Sequence, residues 1–185
     1  MPLSGPDWVK QFPTTSSVDD LAEPFRTNVK NFLAALSVAG ARVVVSDTYR
    51  PLQRVYLMHW AFAIANRTAN PAKVPPMDGV DIQWVHTDAA GNPDAAATTA
   101  AAAAMVKAYG IVFAPAVASR HTERLAVDMT ISWSGALTIK NASDSPVTIA
   151  APPHNGLNPG LHAVGATYGV IKLVSDPPHW SSDGH

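Results

Sequence analysis

The chain has 185 residues, a formal net charge of −1 and no cysteine. With 47% hydrophobic residues, it is long enough for one compact domain with a buried core and leaves little room for a second. The near-neutral charge, without a run of lysine or arginine, excludes nucleic acid as an expected partner. The absence of cysteine excludes disulfides and thiol catalysis, which leaves histidine and carboxylate as the metal ligands.

The N-terminal residues contain no basic stretch followed by an apolar run, so we expect no signal peptide. No segment approaches the roughly 20 apolar residues that a membrane-spanning helix needs. We expect residues 1–18 to be an irregular N-terminal segment of one catalytic domain over residues 1–185, and the protein to be a monomer.

Apolar residues at helical spacing predict four helices, and turn residues mark their ends. Asp94 is typical of a helix start and Gly110 of a helix end, so the alanine-rich run between them is predicted to be a helix and not a linker. The predicted helices are Asp19–Ala39, Gln53–Ala65, Asp94–Tyr109 and Leu157–Tyr168.

Short apolar or alternating runs predict strands in the remaining chain. The segment from Asn70 to Asp81 is proline-rich and predicted to be irregular. Helices precede most of the strands, which favours an α+β domain with an antiparallel sheet. The predicted strands are Ala41–Val45, Asp81–His86, Val127–Ile131, Ala136–Ile139, Val147–Ile149 and Val170–Val174.

Two short segments carry the candidate chemistry, and they contain His121, Asp128 and His179. Two imidazoles and a carboxylate can bind one zinc ion, and three protein ligands leave a fourth position open, as in catalytic zinc sites. Asp176, three residues before His179, is a candidate base. The spacing of His121 and Asp128 favours a loop that enters a strand, so His179 must join them through tertiary folding.

Together with an upstream Tyr-Arg, these segments resemble the zinc peptidases of the D-alanyl-D-alanine carboxypeptidase type, which include phage L-alanyl-D-glutamate endopeptidases. The family signature is Ser-x-His-x-x-Gly-x-Ala-x-Asp, then a carboxylate-x-x-His followed by an aromatic residue. Arg124 stands where the family has glycine, which leaves the local turn and the substrate fit open. The matching residues are Tyr49, Arg50, Ser119, His121, Ala126, Asp128, Asp176, His179 and Trp180.

The resemblance implies a Hedgehog/DD-peptidase fold, in which a small antiparallel sheet carries the zinc site and helices pack on it. It implies one zinc ion per chain, held by His121, Asp128 and His179. Asp176 would then transfer the proton, and Arg50 would stabilise the oxyanion that forms on the peptide carbonyl.

The form of the second segment resembles the phage endopeptidases, since it presents Asp176 where the carboxypeptidases usually present glutamate. This favours an endolysin-like enzyme that hydrolyses the L-Ala–D-Glu bond of the peptidoglycan stem peptide. The alternatives are a D-alanyl-D-alanine carboxypeptidase and a non-catalytic phage or secretion domain that retains the fold. We expect synthesis in the host cytoplasm and delivery to the periplasm or cell wall by a separate factor such as a holin, or transport on a virion.

Four more residues are candidates for contact with the substrate or with a metal ligand, namely Ser119, Tyr49, Trp180 and His154. Glu123 is a rival base because it follows His121 by two residues, but the pattern is not His-Glu-x-x-His and a solvated position is favoured. Asp47 is expected to cap the following turn, with contact to a substrate amine as the alternative.

Overall fold

The computed structural model describes residues 1–112, 114 and 119–185, and within them the architecture is α+β, with helices and small antiparallel sheets. The chain divides into two compact units. Unit 1 comprises Met1–Pro13 and Pro51–Ala118, and unit 2 comprises Thr14–Arg50 and Ser119–His185. The predicted α+β class is confirmed, whereas a single domain over residues 1–185 stays a prediction.

The described elements follow the predicted order closely. Short 3-10 helices cover Pro6–Lys10, Val18–Asp20 and Pro71–Lys73. The helices are α1 (Phe25–Val38), α2 (Leu52–Ala65), α3 (Ala95–Tyr109) and α4 (Pro159–Thr167). The strands are β1 (Arg42–Asp47), β2 (Ala126–Ser132), β3 (Leu137–Lys140), β4 (Pro146–Ile149), β5 (Ile171–Lys172) and β6 (His179–Ser181).

Unit 2 contains a four-stranded antiparallel sheet in the order β1-β2-β6-β5, and a separate pair, β3-β4. Its core joins the apolar side of this sheet to α1 and α4. Phe25 and Phe32 of α1, Leu161 of α4, and Met129 and Trp180 of the sheet are almost fully buried in it. One side of the sheet therefore packs in the apolar core of unit 2.

Unit 1 is built on α2 and α3, which bury Leu57, Ala61 and Met105 in a common apolar cluster. The side chain of Asp94 accepts a hydrogen bond from the Ala97 N–H at 2.9 Å, which caps the start of α3. Gly110 ends the helix in the left-handed conformation, at φ 67°. The alanine-rich run is therefore a packed helix, as predicted.

Three element predictions need correction. The helix predicted from Asp19 begins only at Phe25, directly after Pro24, since proline has no N–H to donate inside a helix. The strand predicted at Asp81–His86 is absent from the described residues. Its Gln83 makes an isolated bridge to Leu3, while neighbouring side chains enter the core of unit 1.

The last predicted strand, Val170–Val174, is shortened to β5 because the chain turns at Leu173. The short strand β6 follows it and has too few residues to show an alternating pattern in the sequence. In the part of the chain that the structure describes, no helix has the length and apolar character needed to cross a membrane.

Candidate metal centre

Three side chains of unit 2 converge on one point, namely His121, Asp128 and His179. His121 Nε2 lies 3.2 Å from Asp128 Oδ1 and 3.2 Å from His179 Nδ1, and the last two atoms are 3.1 Å apart. Ligand atoms at zinc-like bond lengths around a tetrahedral ion are separated by about 3.3 to 3.4 Å. The three side chains can therefore hold a metal ion.

Pairing of β2 with β6 positions two of the three residues. Asp128 lies directly opposite His179 in the antiparallel register, and the preceding pair is Val127 with Trp180. Directly opposite residues share one face of a sheet, and successive residues alternate between faces. Val127 and Trp180 are both 0% exposed in the core, so the alternation directs Asp128 and His179 to the other face.

A tight turn before β2 positions the third residue, His121. The N–H of Arg124 donates to the His121 carbonyl at 3.2 Å, and the N–H of Leu125 donates to the Arg120 carbonyl at 2.8 Å. Arg124 has φ 63°, the left-handed conformation that glycine usually occupies at this position of such a turn. The turn therefore forms even though Arg124 stands where the zinc-peptidase sequence signature has glycine.

The side chain of Arg124 makes two contacts that favour this conformation. Its Nη1 donates to the Asp20 carbonyl at 3.0 Å, and its guanidinium lies 3.9 Å from the ring centroid of Tyr49. A left-handed conformation costs a residue other than glycine about 1–2 kcal/mol, and a cation–π contact contributes about 0.5–1 kcal/mol. The two contacts offset much of the cost of placing arginine there.

Backbone carbonyls fix the orientation of both imidazole rings. His121 Nδ1 lies 3.1 Å from the Thr48 carbonyl oxygen, and His179 Nε2 lies 3.1 Å from the His185 carbonyl oxygen. A carbonyl oxygen only accepts, so each of these nitrogens donates and the other nitrogen of each neutral ring presents a lone pair. In the neutral rings both lone pairs point at Asp128 Oδ1, so the three atoms can hold a metal cation between them, and without a metal a ring proton can form the hydrogen bond to the carboxylate instead.

The electrostatics of the triad agree with this geometry. Burial alone would raise the pKa of the Asp128 carboxyl, but hydrogen bonds and charge from His121 and His179 outweigh burial and hold that pKa well below its usual range. Burial alone would lower the pKa of His179, yet Asp128 outweighs it and raises that pKa. The site therefore favours a positive charge at its centre.

No protein-family model, curated protein or solved structure matches the chain. A set of two imidazoles and one carboxylate is typical of zinc and of other divalent transition metals.

Arg50 lies close to the triad through its backbone, since its N–H donates to the His121 carbonyl at 3.3 Å. Its Nη2 donates to Asp47 Oδ2 at 2.6 Å, and both side chains are largely buried. Asp47 is the register partner of Asp128 on the neighbouring strand, and its other oxygen, Oδ1, has no hydrogen-bond partner among the described residues. Asp47 therefore orients the guanidinium of Arg50.

The two candidate bases differ in their surroundings. Asp176 is exposed in the turn between β5 and β6, and its charge contributes to the raised pKa of His179. Glu123 is 48% exposed and pairs with Arg120. Its side chain is thus engaged at the surface.

The remaining candidates lie in three different settings. Ser119 Oγ accepts from the His121 N–H at 3.3 Å and so belongs to the turn that holds this ligand. Trp180 packs in the core, with its ring centroid 5.6 Å from that of Phe32. His154 has its ring 5.9 Å from Trp133 and Nε2 3.3 Å from the Ala150 carbonyl, and it is not part of the triad.

Sequence reasoning missed the groups that support the triad. The carbonyls of Thr48 and His185 orient the two imidazoles, and backbone groups leave no signal in a sequence. Lys172, by contrast, is the charged residue of an apolar segment, and it is only 7% exposed. Burial lowers its pKa, while the charges of Asp176 and Asp128 oppose that effect. A lysine within a predicted strand of otherwise apolar residues was the available signal.

Proposed function

We propose that this chain is a zinc-dependent peptidoglycan peptidase that hydrolyses the L-Ala–D-Glu bond of the stem peptide. The observation that supports the proposal is the convergence of three potential ligand atoms, within 4.8 Å of one another, at a point that can hold a metal ion. The choice of substrate is supported by the sequence resemblance, in particular by Asp176 in place of glutamate.

His121, Asp128 and His179 would hold the zinc ion. Bound there, zinc would supply Lewis acidity that polarises a peptide carbonyl and makes water a better nucleophile at neutral pH. The two backbone carbonyls that accept from the imidazoles keep both rings in the tautomer that presents a lone pair inward. The protein thus holds its ligands in place before metal arrives.

Asp176 is the group that moves the proton. Its carboxylate is exposed, so an incoming water molecule and substrate can reach it, and it precedes the ligand His179 by three residues. It would accept the proton of the attacking water and then donate it to the leaving amine, so that the protons balance over the reaction.

Arg50 is the group that stabilises negative charge on the peptide carbonyl oxygen. A guanidinium has five N–H donors, and the hydrogen bond to Asp47 employs the Nη2 side of the fork. The ion pair fixes the orientation of the guanidinium, and a fixed donor stabilises a developing oxyanion without having to reorganise.

Mass spectrometry of purified muropeptides incubated with the protein tests the proposal. We expect new fragments with the stem cut after L-alanine, formed with zinc and abolished by a chelator. Loss of only the terminal D-alanine would instead indicate the carboxypeptidase. Unchanged muropeptides in the presence of a zinc-loaded protein would contradict both enzymes and favour the non-catalytic domain.

Two variants, one for each candidate base, test which carboxylate accepts the proton. Asp176→Asn should lower the cleavage rate on the order of 100-fold while zinc binding is retained, because a positioned base commonly contributes about that much. Glu123→Gln removes the rival carboxylate and should leave the rate unchanged. The opposite result for the two variants would transfer the role to Glu123.

A further inference from the structure

The turn between β5 and β6 is closed by a ring of three backbone hydrogen bonds. Leu173 N–H donates to the His179 carbonyl at 3.1 Å, His179 N–H to the Asp176 carbonyl at 3.1 Å, and Asp176 N–H to the Leu173 carbonyl at 3.2 Å. Each of the three residues therefore donates once and accepts once within the ring. The candidate base Asp176 and the metal ligand His179 are both members of it.

The ammonium group of Lys172 contacts all three carbonyl oxygens of this ring. Nζ donates to Leu173 O at 2.6 Å and to His179 O at 3.0 Å, and it also donates to Asp176 O. An ammonium has three N–H donors and no acceptor, so its donors match the three carbonyls in number. The side chain is 7% exposed, and its Nζ lies 5.7 Å from the ring centroid of Trp180.

Electrostatics explains why a cation is needed at this position. The negative ends of three carbonyl dipoles converge on one point, and they repel one another unless a positive charge lies between them. A buried ammonium loses its hydration, and full hydrogen bonding to three acceptors compensates for that loss. The lysine and the ring therefore depend on each other.

We propose that Lys172 is a positioning residue, whose ammonium fills a three-carbonyl cage and thereby holds the turn that carries Asp176. The assignment of Asp176 as the base rests on the proposed peptidase function, whereas the cage does not. His179 is also fixed by the pairing of β6 with β2, so loss of the ammonium displaces Asp176 more than it displaces the metal ligand. A shortened side chain leaves a cage that an alkylammonium ion of matching length can fill.

Chemical rescue of Lys172→Ala tests the proposal in the whole protein. This variant should cleave muropeptides on the order of 100-fold more slowly, since a displacement of about 1 Å can cost that much. Its zinc affinity should change less than tenfold. Propylammonium supplies the missing methylenes and ammonium, and it should restore both the rate and the midpoint of thermal unfolding in a saturable manner.

Lys140→Ala is the matched control, because Lys140 lies in the same unit and pairs with Asp144 at the surface. Neither this variant nor the wild-type protein should respond to propylammonium. Wild-type rate and unfolding midpoint in Lys172→Ala, or a folded variant that propylammonium does not restore, would overturn the proposal.

A measurement on the wild-type protein covers the case in which Lys172→Ala does not fold. In NMR spectra, the Lys172 ammonium protons should exchange slowly and show couplings through hydrogen bonds to the carbonyl carbons of residues 173, 176 and 179. A fast-exchanging ammonium would refute the cage. This readout and the thermal rescue need no cleavage, so they separate failure of the cage from failure of the peptidase proposal.

Discussion

The two compact units bury different kinds of polar side chain. Among the described residues, unit 1 buries the neutral hydroxyl groups of Ser4 and Thr98, whereas every buried aspartate, histidine and lysine lies in unit 2. These ionisable residues are Asp47, His121, Lys172 and His179. Both units also contain an apolar cluster, so apolar packing alone does not distinguish them.

The difference agrees with the proposal that the chemistry takes place in unit 2. Burial of an ionisable group costs free energy unless partners satisfy it, and a fold that needs only stability has no reason to bury four of them near one another. In unit 2, each such group contacts a carbonyl, a carboxylate or a guanidinium. Unit 1 obtains its stability from the packing of α2 against α3 instead.

The largest expected effect that tests this contrast is the loss of metal binding in Asp128→Asn. Removal of a residue that hydrogen-bonds to a metal ligand commonly lowers metal affinity about 10–100-fold. Removal of the charged ligand itself should lower it further. Thr98→Val is the control in unit 1, where the hydroxyl accepts a hydrogen bond from the His86 N–H at 2.9 Å. Competition with a chromophoric chelator gives both zinc affinities. Equal zinc affinities in the two variants would contradict the assignment of the metal site to unit 2.

An intermediate effect is expected from pH. The raised pKa of His179 means that a proton competes with zinc for the site, so zinc affinity should fall by up to tenfold for each pH unit below that pKa. Proton release, measured by titration calorimetry in buffers of different ionisation enthalpy, should disappear at high pH. Zinc binding without a pH dependence between pH 5 and 8 would contradict the role of His179.

Zinc affinity should increase with pH, whereas the His179 contribution to the stability of the zinc-free protein should decrease as pH rises. His179 contributes stability that is fully present below its unfolded pKa of about 6.5 and is lost as pH rises through its raised folded pKa. Asp128 contributes stability that is present above its unfolded pKa of about 3.9 and is lost at lower pH. Burial lowers the pKa of His162, which acts in the opposite direction to His179. The unfolding free energy of the wild-type protein, less that of Asp128→Asn, isolates the contribution of the triad. Urea unfolding of both proteins at each pH measures this difference.

The smallest effect is expected at Arg124, whose left-handed backbone is unusual for a residue other than glycine. Arg124→Gly relieves the backbone strain but loses the contacts to Tyr49 and Asp20, so stability should change by less than about 1 kcal/mol. Arg124→Ala loses the same contacts and keeps the strain, so it should be less stable than the glycine variant by about 1 kcal/mol. Equal urea midpoints for the two would show that the turn is not strained. Both variants should bind zinc as the wild-type protein does.

The sequence predicted the helices well because their signals are local. Asp94 and Gly110 mark the ends of α3, and the structure places the cap hydrogen bond and the left-handed residue there. The strand predicted at Asp81–His86 was wrong because apolar residues in a short run pack in a core equally well without a strand partner.

The side chains of the candidate metal site could be predicted from the sequence, whereas the backbone groups that orient them could not. The combined pattern of the two segments points to His121, Asp128 and His179, whereas the spacing of His121 and Asp128 alone is a weak signal. The carbonyls of Thr48 and His185 belong to the backbone, so only the tertiary structure shows that they orient the rings. Lys172 could be noticed in the sequence, but the ring of carbonyls around it depends on a turn that no motif encodes.

The register of β2 and β6 has a consequence for how the site assembles. A shift of β6 by one residue would exchange the faces of His179 and Trp180, so that an imidazole would enter the core and an indole would be left outside it. The fully buried indole makes that alternative costly, because an aromatic side chain of this size contributes heavily to burial. Burial of Trp180 thus favours the register that places Asp128 opposite His179 on one face of the sheet, whether or not an ion is bound.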